Sequence, residues 1–327
     1  MSITLGLLVV LMLPAAGEES QAYRAVADWP NLPEEIPLGV EGKEVDLPKG
    51  AYVAAVGGLD VDSHNHVFVF HRSNPPILCI DGRSGELIAS WGEGMFINAH
   101  GLEVDDQDNI WVTDTGRHQV MKFDHDGNLL MAVGEEGVPG WDETHFNQPT
   151  DVAVTPNGEF YVADGYGNNR VAKFSADGTF LFEWGERGSS AGQFDLPHGI
   201  ARDNEGRIYV ADRSNKRIQV FDADGRFLRQ WKGAALGRPW DLDVGPDGFL
   251  YVIDGGDLKP TPLRPVHPDR SVLRKLNLKG EIVAEWGSFG AASGQLDVGH
   301  AISVGPDGAV YTGEALSQIR VQKFVRE

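Results

Sequence analysis

Along most of the chain, apolar and polar positions alternate with a period of two in short runs, and most runs stop at an Asp-Gly or Asn-Gly turn. Successive side chains of a strand point to opposite faces, so such runs read as half-buried strands joined by hairpins. After residue 17 no stretch keeps a long 3.6-residue apolar period, and helix is not expected. The runs also repeat. GGLDVDSHNHVFVFH (57–71), HGLEVDDQDNIWVTD (100–114), TDVAVTPNGEFYVAD (150–164), HGIARDNEGRIYVAD (198–212), WDLDVGPDGFLYVID (240–254) and HAISVGPDGAVYTGE (300–314) are six copies of one strand–turn–strand unit. Their second strands end at His71, Asp114, Asp164, Asp212, Asp254 and Glu314, in steps of 43, 50, 48, 42 and 60 residues. Alternating third strands follow (QVMKFD, RVAKFS, RIQVFD, VLRKLN), then a fourth strand that ends near Trp-Gly at 91–92, 184–185 and 286–287. That period and strand count predict an all-β fold, a six-bladed β-propeller. The sixth copy stops at VQKFVRE after its third strand, so the missing strand is expected from the N-terminal segment around Tyr23–Trp29, closing the ring.

The first residues stand apart. Leu5 to Leu13 are almost wholly apolar, followed by small residues at Ala15 and Gly17 and then Glu18-Glu19. Such a run is too short to span a bilayer of about 30 Å and reads as a secretory leader, without a basic start. The expected organisation is a leader at 1–17, a closing segment at 18–50 and the propeller at 51–327, with an exported product, secreted or periplasmic. No membrane span is expected. Composition then removes options. The 48 acidic residues against 28 basic give a net charge of −20, which argues against nucleic acid as a partner. One Cys, Cys79, excludes an internal disulfide and a Cys-based zinc site. The 41 Gly and 18 Pro belong largely to the turns and loops of six blades.

Chain direction sorts the connections between strands. First-to-second and third-to-fourth turns share one face and are tight; the Asp/Gly turns at 124–127 and 222–225 lack a full calcium-loop pattern and read as hairpins. The long connections, 135–149 and 255–270, share the opposite face, where function is expected. On that face the inner strands open with Gly57, His100, Thr150, His198, Trp240 and His300 in successive blades. Histidine on alternate blades only places three imidazoles about a third of a turn apart around the axis. Such a tripod suits zinc, copper, nickel or iron and leaves a coordination position open for chemistry. Three repeat-derived histidines hydrogen-bonded in a wet channel fit the same pattern. Arg72 and Arg213 each follow a second strand and face the same mouth, either as a fork for a substrate carboxylate or as surface ion pairs. Tyr166 lies between the blades of His100 and His198. It either packs there or serves as a base, its phenol made more acidic by nearby positive charge. His64, His66 and His125 fall in turns of the far face, His118, His145 and His267 on loops, and none is assigned a role.

These residues resemble a family. GIARDNEGRIYVADRSNKRIQVFD (199–222) looks like an NHL repeat, and HGLEVDDQDNIWVTD, HFNQPTDVAV, ADGYGNNRV and LPHGIA, in this order, are similar to the peptidyl-α-hydroxyglycine α-amidating lyases. The resemblance runs from about residue 51 to 324. It implies an NHL-type propeller in which His100, His198 and His300 hold zinc, Tyr166 is the base, and Arg72 and Arg213 line the site. The implied reaction cleaves the N–C bond of a peptidyl- or N-acyl-α-hydroxyglycine to an amide and glyoxylate. The implied partner is a small substrate with a carboxylate; a monomer is expected. One departure concerns calcium. The family's third zinc histidine is followed by an Asp that helps bind calcium, and here that residue is Ala301. The remaining calcium contacts would be backbone oxygens of Leu59 and Leu102, so about one zinc and little calcium are expected. The alternative function is a non-catalytic exported propeller whose long-loop face binds a protein or glycan. A propeller lactonase would want carboxylates in the channel rather than histidines.

Overall fold

The computed structural model describes residues 22–36, 38, 55–259, 267–268, 270–316 and 319–327. The leader assigned to 1–17 lies outside the described residues, and the closing segment is described only at 22–36 and 38. Six four-stranded antiparallel sheets are present, with a small ribbon of Leu258–Lys259 against His267–Pro268. No helix occurs among the described residues, and none is long and apolar enough to cross a membrane. The inner strands are Val56–Val61, Ala99–Val104, Asp151–Val154, Pro197–Arg202, Pro239–Val244 and Gly299–Val304. Each packs against the inner strand of the next blade, and the last against the first, so the ring closes around a channel.

Closure follows the expected route over a shorter span. Tyr23–Ala25 pairs antiparallel with Val321–Arg326, in the register Tyr23 to Arg326 and Ala25 to Phe324. The Tyr23 ring stacks on Trp286 of blade five, and its hydroxyl lies 3.0 Å from that of Tyr251. Trp29, beyond the strand, packs against Tyr311. An N-terminal strand thus completes blade six and also grips blade five.

The buried mass lies in the second strands, Ile110–Asp114 and its equivalents, whose residues are buried throughout in blades two to six. The acid that ends each of these strands accepts backbone N–H groups from the loop entering the blade: Asp114 from Ile97 and Asn98, Asp212 from Asp195, Glu314 from Asp297. In blades three to six an Arg near the start of the third strand pairs with it, as Arg217 does with Asp212 at 2.7 Å. Removing one partner of such a buried pair leaves the other uncompensated, so the recurring Asp is a structural device that fixes the long-loop face.

Candidate metal centre

The residues that open the inner strands face the channel because the ladder slips there. In blades one, two, four, five and six the register between inner and second strand shifts at this position, for example between Ala99 and Leu102 and between Pro197 and Ile200. A bulge of this kind re-aims a side chain out of the pleat. It brings together His100, His198 and His300, each buried, with ring centroids 4.7, 4.9 and 5.0 Å apart. Their ligand nitrogens lie within 4.8 Å of one another.

The outer nitrogen of each ring is held by the next blade. His100 Nδ1 meets the Thr150 carbonyl at 2.6 Å, His198 Nδ1 the Trp240 carbonyl at 2.7 Å, and His300 Nδ1 the Gly57 carbonyl at 2.9 Å. A carbonyl only accepts, so Nδ1 carries the proton and Nε2 keeps a bare lone pair. Burial holds His100 and His198 well below the ordinary imidazole value and His300 down to about 3, and the arginines push the same way. Three neutral imidazoles with converging lone pairs and fixed tautomers fit a borderline divalent metal.

The Tyr166 hydroxyl lies 3.1 Å from Nε2 of both His100 and His198. Arg213 approaches this hydroxyl through Nη1 at 3.4 Å, and its guanidinium lies 4.2 Å from the Trp240 ring centroid. Trp240 therefore serves twice, through its carbonyl on His198 and its ring under Arg213. Arg72 donates through Nε to the Ala99 carbonyl at 3.0 Å. Its charge is disfavoured by burial and favoured by Tyr166 and Asp114. All six residues singled out for the site thus converge on one mouth.

Behind the histidines the channel is lined by Asp60, Glu103, Asp151, Asp241 and Asp243, which the sequence reading did not single out. Asp151 accepts from Ile200 N–H at 2.8 Å and Asp241 from Ile302 N–H at 3.0 Å, each reaching the inner strand of the next blade. Gly101 and Gly199 make room for them, since a Cβ at either position would stand 2.5 Å from Oδ1 of Asp151 or Asp241. Burial pushes these acids up, Asp60 to about 6 and Asp241 and Asp243 to about 7, with Glu103 and Asp151 well above their ordinary values. They keep some solvent contact through the narrow channel. Leu59 and Leu102 line the same cavity, while Ala301 is buried in the apolar cluster with Val56 and Leu59. Histidines and carboxylates are therefore not alternatives here; the channel holds both, in layers.

The NHL repeat pattern matches residues 96–123, 146–174 and 194–221. The chain is 35% identical over 299 residues to the peptidyl-glycine alpha-amidating monooxygenase B of Xenopus laevis, covering 80% of this chain and 33% of that protein. It is 30% identical over 352 residues to the peptidyl-alpha-hydroxyglycine alpha-amidating lyase 1 of Drosophila melanogaster, covering 91% of this chain and 64% of that one. These similarities and the NHL repeats support the peptidyl-α-hydroxyglycine α-amidating lyase family for this chain. The chain spans about a third of the length of the Xenopus relative. Among solved structures, the virginiamycin B lyase of Staphylococcus aureus shares the fold, with a TM-score of 0.53 and 16% identity over 80% of this chain and 77% of that one. His100, His198 and His300 were legible from their repeat position, whereas the carboxylates stand at two different offsets, one and three residues further on.

Proposed function

We propose that this chain is a zinc-dependent lyase that cleaves the N–C bond of a peptidyl- or N-acyl-α-hydroxyglycine, releasing an amide and glyoxylate. The observation that carries this reading is the Tyr166 hydroxyl, 3.1 Å from two neutral imidazoles and within reach of Arg213. His100, His198 and His300 would hold the zinc, which supplies Lewis-acid polarisation of the α-hydroxyl. Tyr166 takes the hydroxyl proton as general base. The O–H electron pair becomes the second bond of the glyoxylate carbonyl, the N–C bond breaks, and the nitrogen takes up a proton. No electrons are gained or lost overall, so no redox partner is needed. Arg213, its guanidinium 4.2 Å from the Trp240 ring centroid, and Arg72 offer donors for the substrate carboxylate.

Calcium is a finer matter. Ala301 offers no side-chain ligand, yet Asp60, Asp151 and Asp241 bring carboxyl oxygens to the cavity that Leu59 and Leu102 line. Against the expectation of little calcium from Ala301, these oxygens support a hard cation behind the histidines. The lyase reading is tested by glyoxylate release from α-hydroxyhippurate, using zinc-loaded protein with chelator and His198→Ala controls. Release that both controls abolish is expected. If zinc-loaded protein releases none, the lyase reading falls and a non-catalytic propeller takes its place.

A further inference from the structure

On the short-turn face, blades one and two together present a second group of metal-capable side chains. Asp62, His66 and His125 bring one ligand atom each to within 4.8 Å of one another. Asp62 is 1% exposed, and its Oδ1 already accepts the backbone N–H groups of His64 and His66, at 2.9 and 2.7 Å. Its Oδ2 faces two imidazoles, His66 Nδ1 at 2.9 Å and His125 Nε2 at 3.1 Å. Those separations are close to the roughly 3.3 Å between ligands of a tetrahedral ion with bonds of about 2.0–2.1 Å.

The other blades show what this turn does without such ligands. The equivalent Asp105 of blade two accepts from Asn109 Nδ2 at 2.9 Å and Trp111 Nε1 at 2.9 Å, and pairs with Lys122 at 3.0 Å. Asp203 of blade four accepts from Arg207 at 2.6 Å and Tyr209 at 2.8 Å. Those partners are donors that ordinarily ligate no metal. In blade one His66 replaces Asn109 and Arg207, and Phe68 replaces Trp111 and Tyr209 and offers no polar hydrogen. The lost partner is supplied by His125 from the third-to-fourth turn of blade two, a position held by Ala176 and Ala223 in blades three and four. The His125 ring packs edge-on against Phe68, at 5.1 Å between centroids. His64 and Asp108 stand at the rim, 3.5 Å apart.

We propose that Asp62, His66 and His125 form a second metal site, for zinc or a similar borderline divalent ion, which ties blade one to blade two on the face opposite the channel mouth. Two imidazoles and one carboxylate select such ions over calcium or magnesium. The site draws on neither the channel tripod nor the lyase reading, so each can fail without the other.

The test is metal stoichiometry in the full-length chain, by Co²⁺ titration followed through its ligand-field absorption and by zinc content after dialysis. In a His100→Ala/His198→Ala background, which removes the channel tripod, one equivalent is expected to remain. It should raise Tm when added. Adding His66→Asn, which restores the residue blade two uses at this turn, or separately His125→Ala, should abolish that equivalent while circular dichroism stays unchanged. Retention of the equivalent in both variants, or its absence from the channel variant, would overturn the proposal and leave the cluster as hydrogen bonds.

Discussion

The two imidazole clusters of this molecule, one on each face of the ring, rest on different kinds of support. In the channel His100, His198 and His300 come from one repeated position on alternate blades, are 2 to 4% exposed, and have each Nδ1 tied to a backbone carbonyl of the next blade. On the far face His66 and His125 come from unlike positions on adjacent blades, stand partly in solvent, and meet at one buried side chain, Asp62. A carbonyl survives any substitution at its own residue, so the fold itself orients the channel tripod. The far cluster depends on one carboxylate, and its ligands answer to no repeat. Symmetry made the first cluster readable along the chain and left the second unannounced.

Single substitutions separate the two clusters by effects of different size. His198→Ala should reduce glyoxylate release to background and remove one metal equivalent, leaving the far-face equivalent in place; loss of both would show that the clusters are coupled. Tyr166→Phe keeps the ring against His100 and His198 but deletes the hydroxyl, and should lower kcat by about 10²–10⁴ with a smaller change in KM. Steady-state kinetics on α-hydroxyhippurate decides it, and an unchanged kcat would remove Tyr166 from the proton transfer. Arg213→Ala should raise KM by about 10- to 100-fold, the worth of a charge-assisted hydrogen bond. Trp240→Ala should have a smaller effect of about 2- to 30-fold, because only the cation–π support of the guanidinium is lost. Equal effects of the two would mean that Trp240 contacts substrate itself.

The smallest effect concerns the carboxylate layer. Asp60, Asp241 and Asp243 titrate near 6 to 7 in the fold, above the unfolded value of about 4, so the folded protein binds more protons across that interval. Their contribution to stability is fully present below pH of about 4 and is lost as pH rises through 6 to 7. The Tm of chelator-treated protein should therefore fall between about pH 5 and pH 8, with Arg202 near Glu103 as a partial offset. Calcium added at the higher pH should recover the loss. A flat profile without calcium would show that the layer is neutralised by other means.

Much of this was legible in the residues alone. The spacing of His71, Asp114 and their equivalents gave the blade count, because a strand–turn–strand unit must recur at fixed length to build a ring. The strand from Tyr23 was expected because the last copy lacked one. Placing histidine on alternate copies was enough to set His100, His198 and His300 facing one another. Asp60, Glu103, Asp151, Asp241 and Asp243 were not legible. Along a strand, which acids point inward depends on where the pleat slips, and the bulge beside the histidines alters that parity.

The sequence by itself determined the six-bladed ring, its closure, and the axis on which His100, His198 and His300 meet, because these follow from periodicity. Only the tertiary structure decided which nitrogen of each imidazole is free, that Tyr166 sits between two of them, that Trp240 supports Arg213, and that His125 reaches Asp62 across a blade boundary. Those relations join residues from different blades through a single hydrogen bond or ring contact. No local pattern encodes them, and they exist only once the ring has closed.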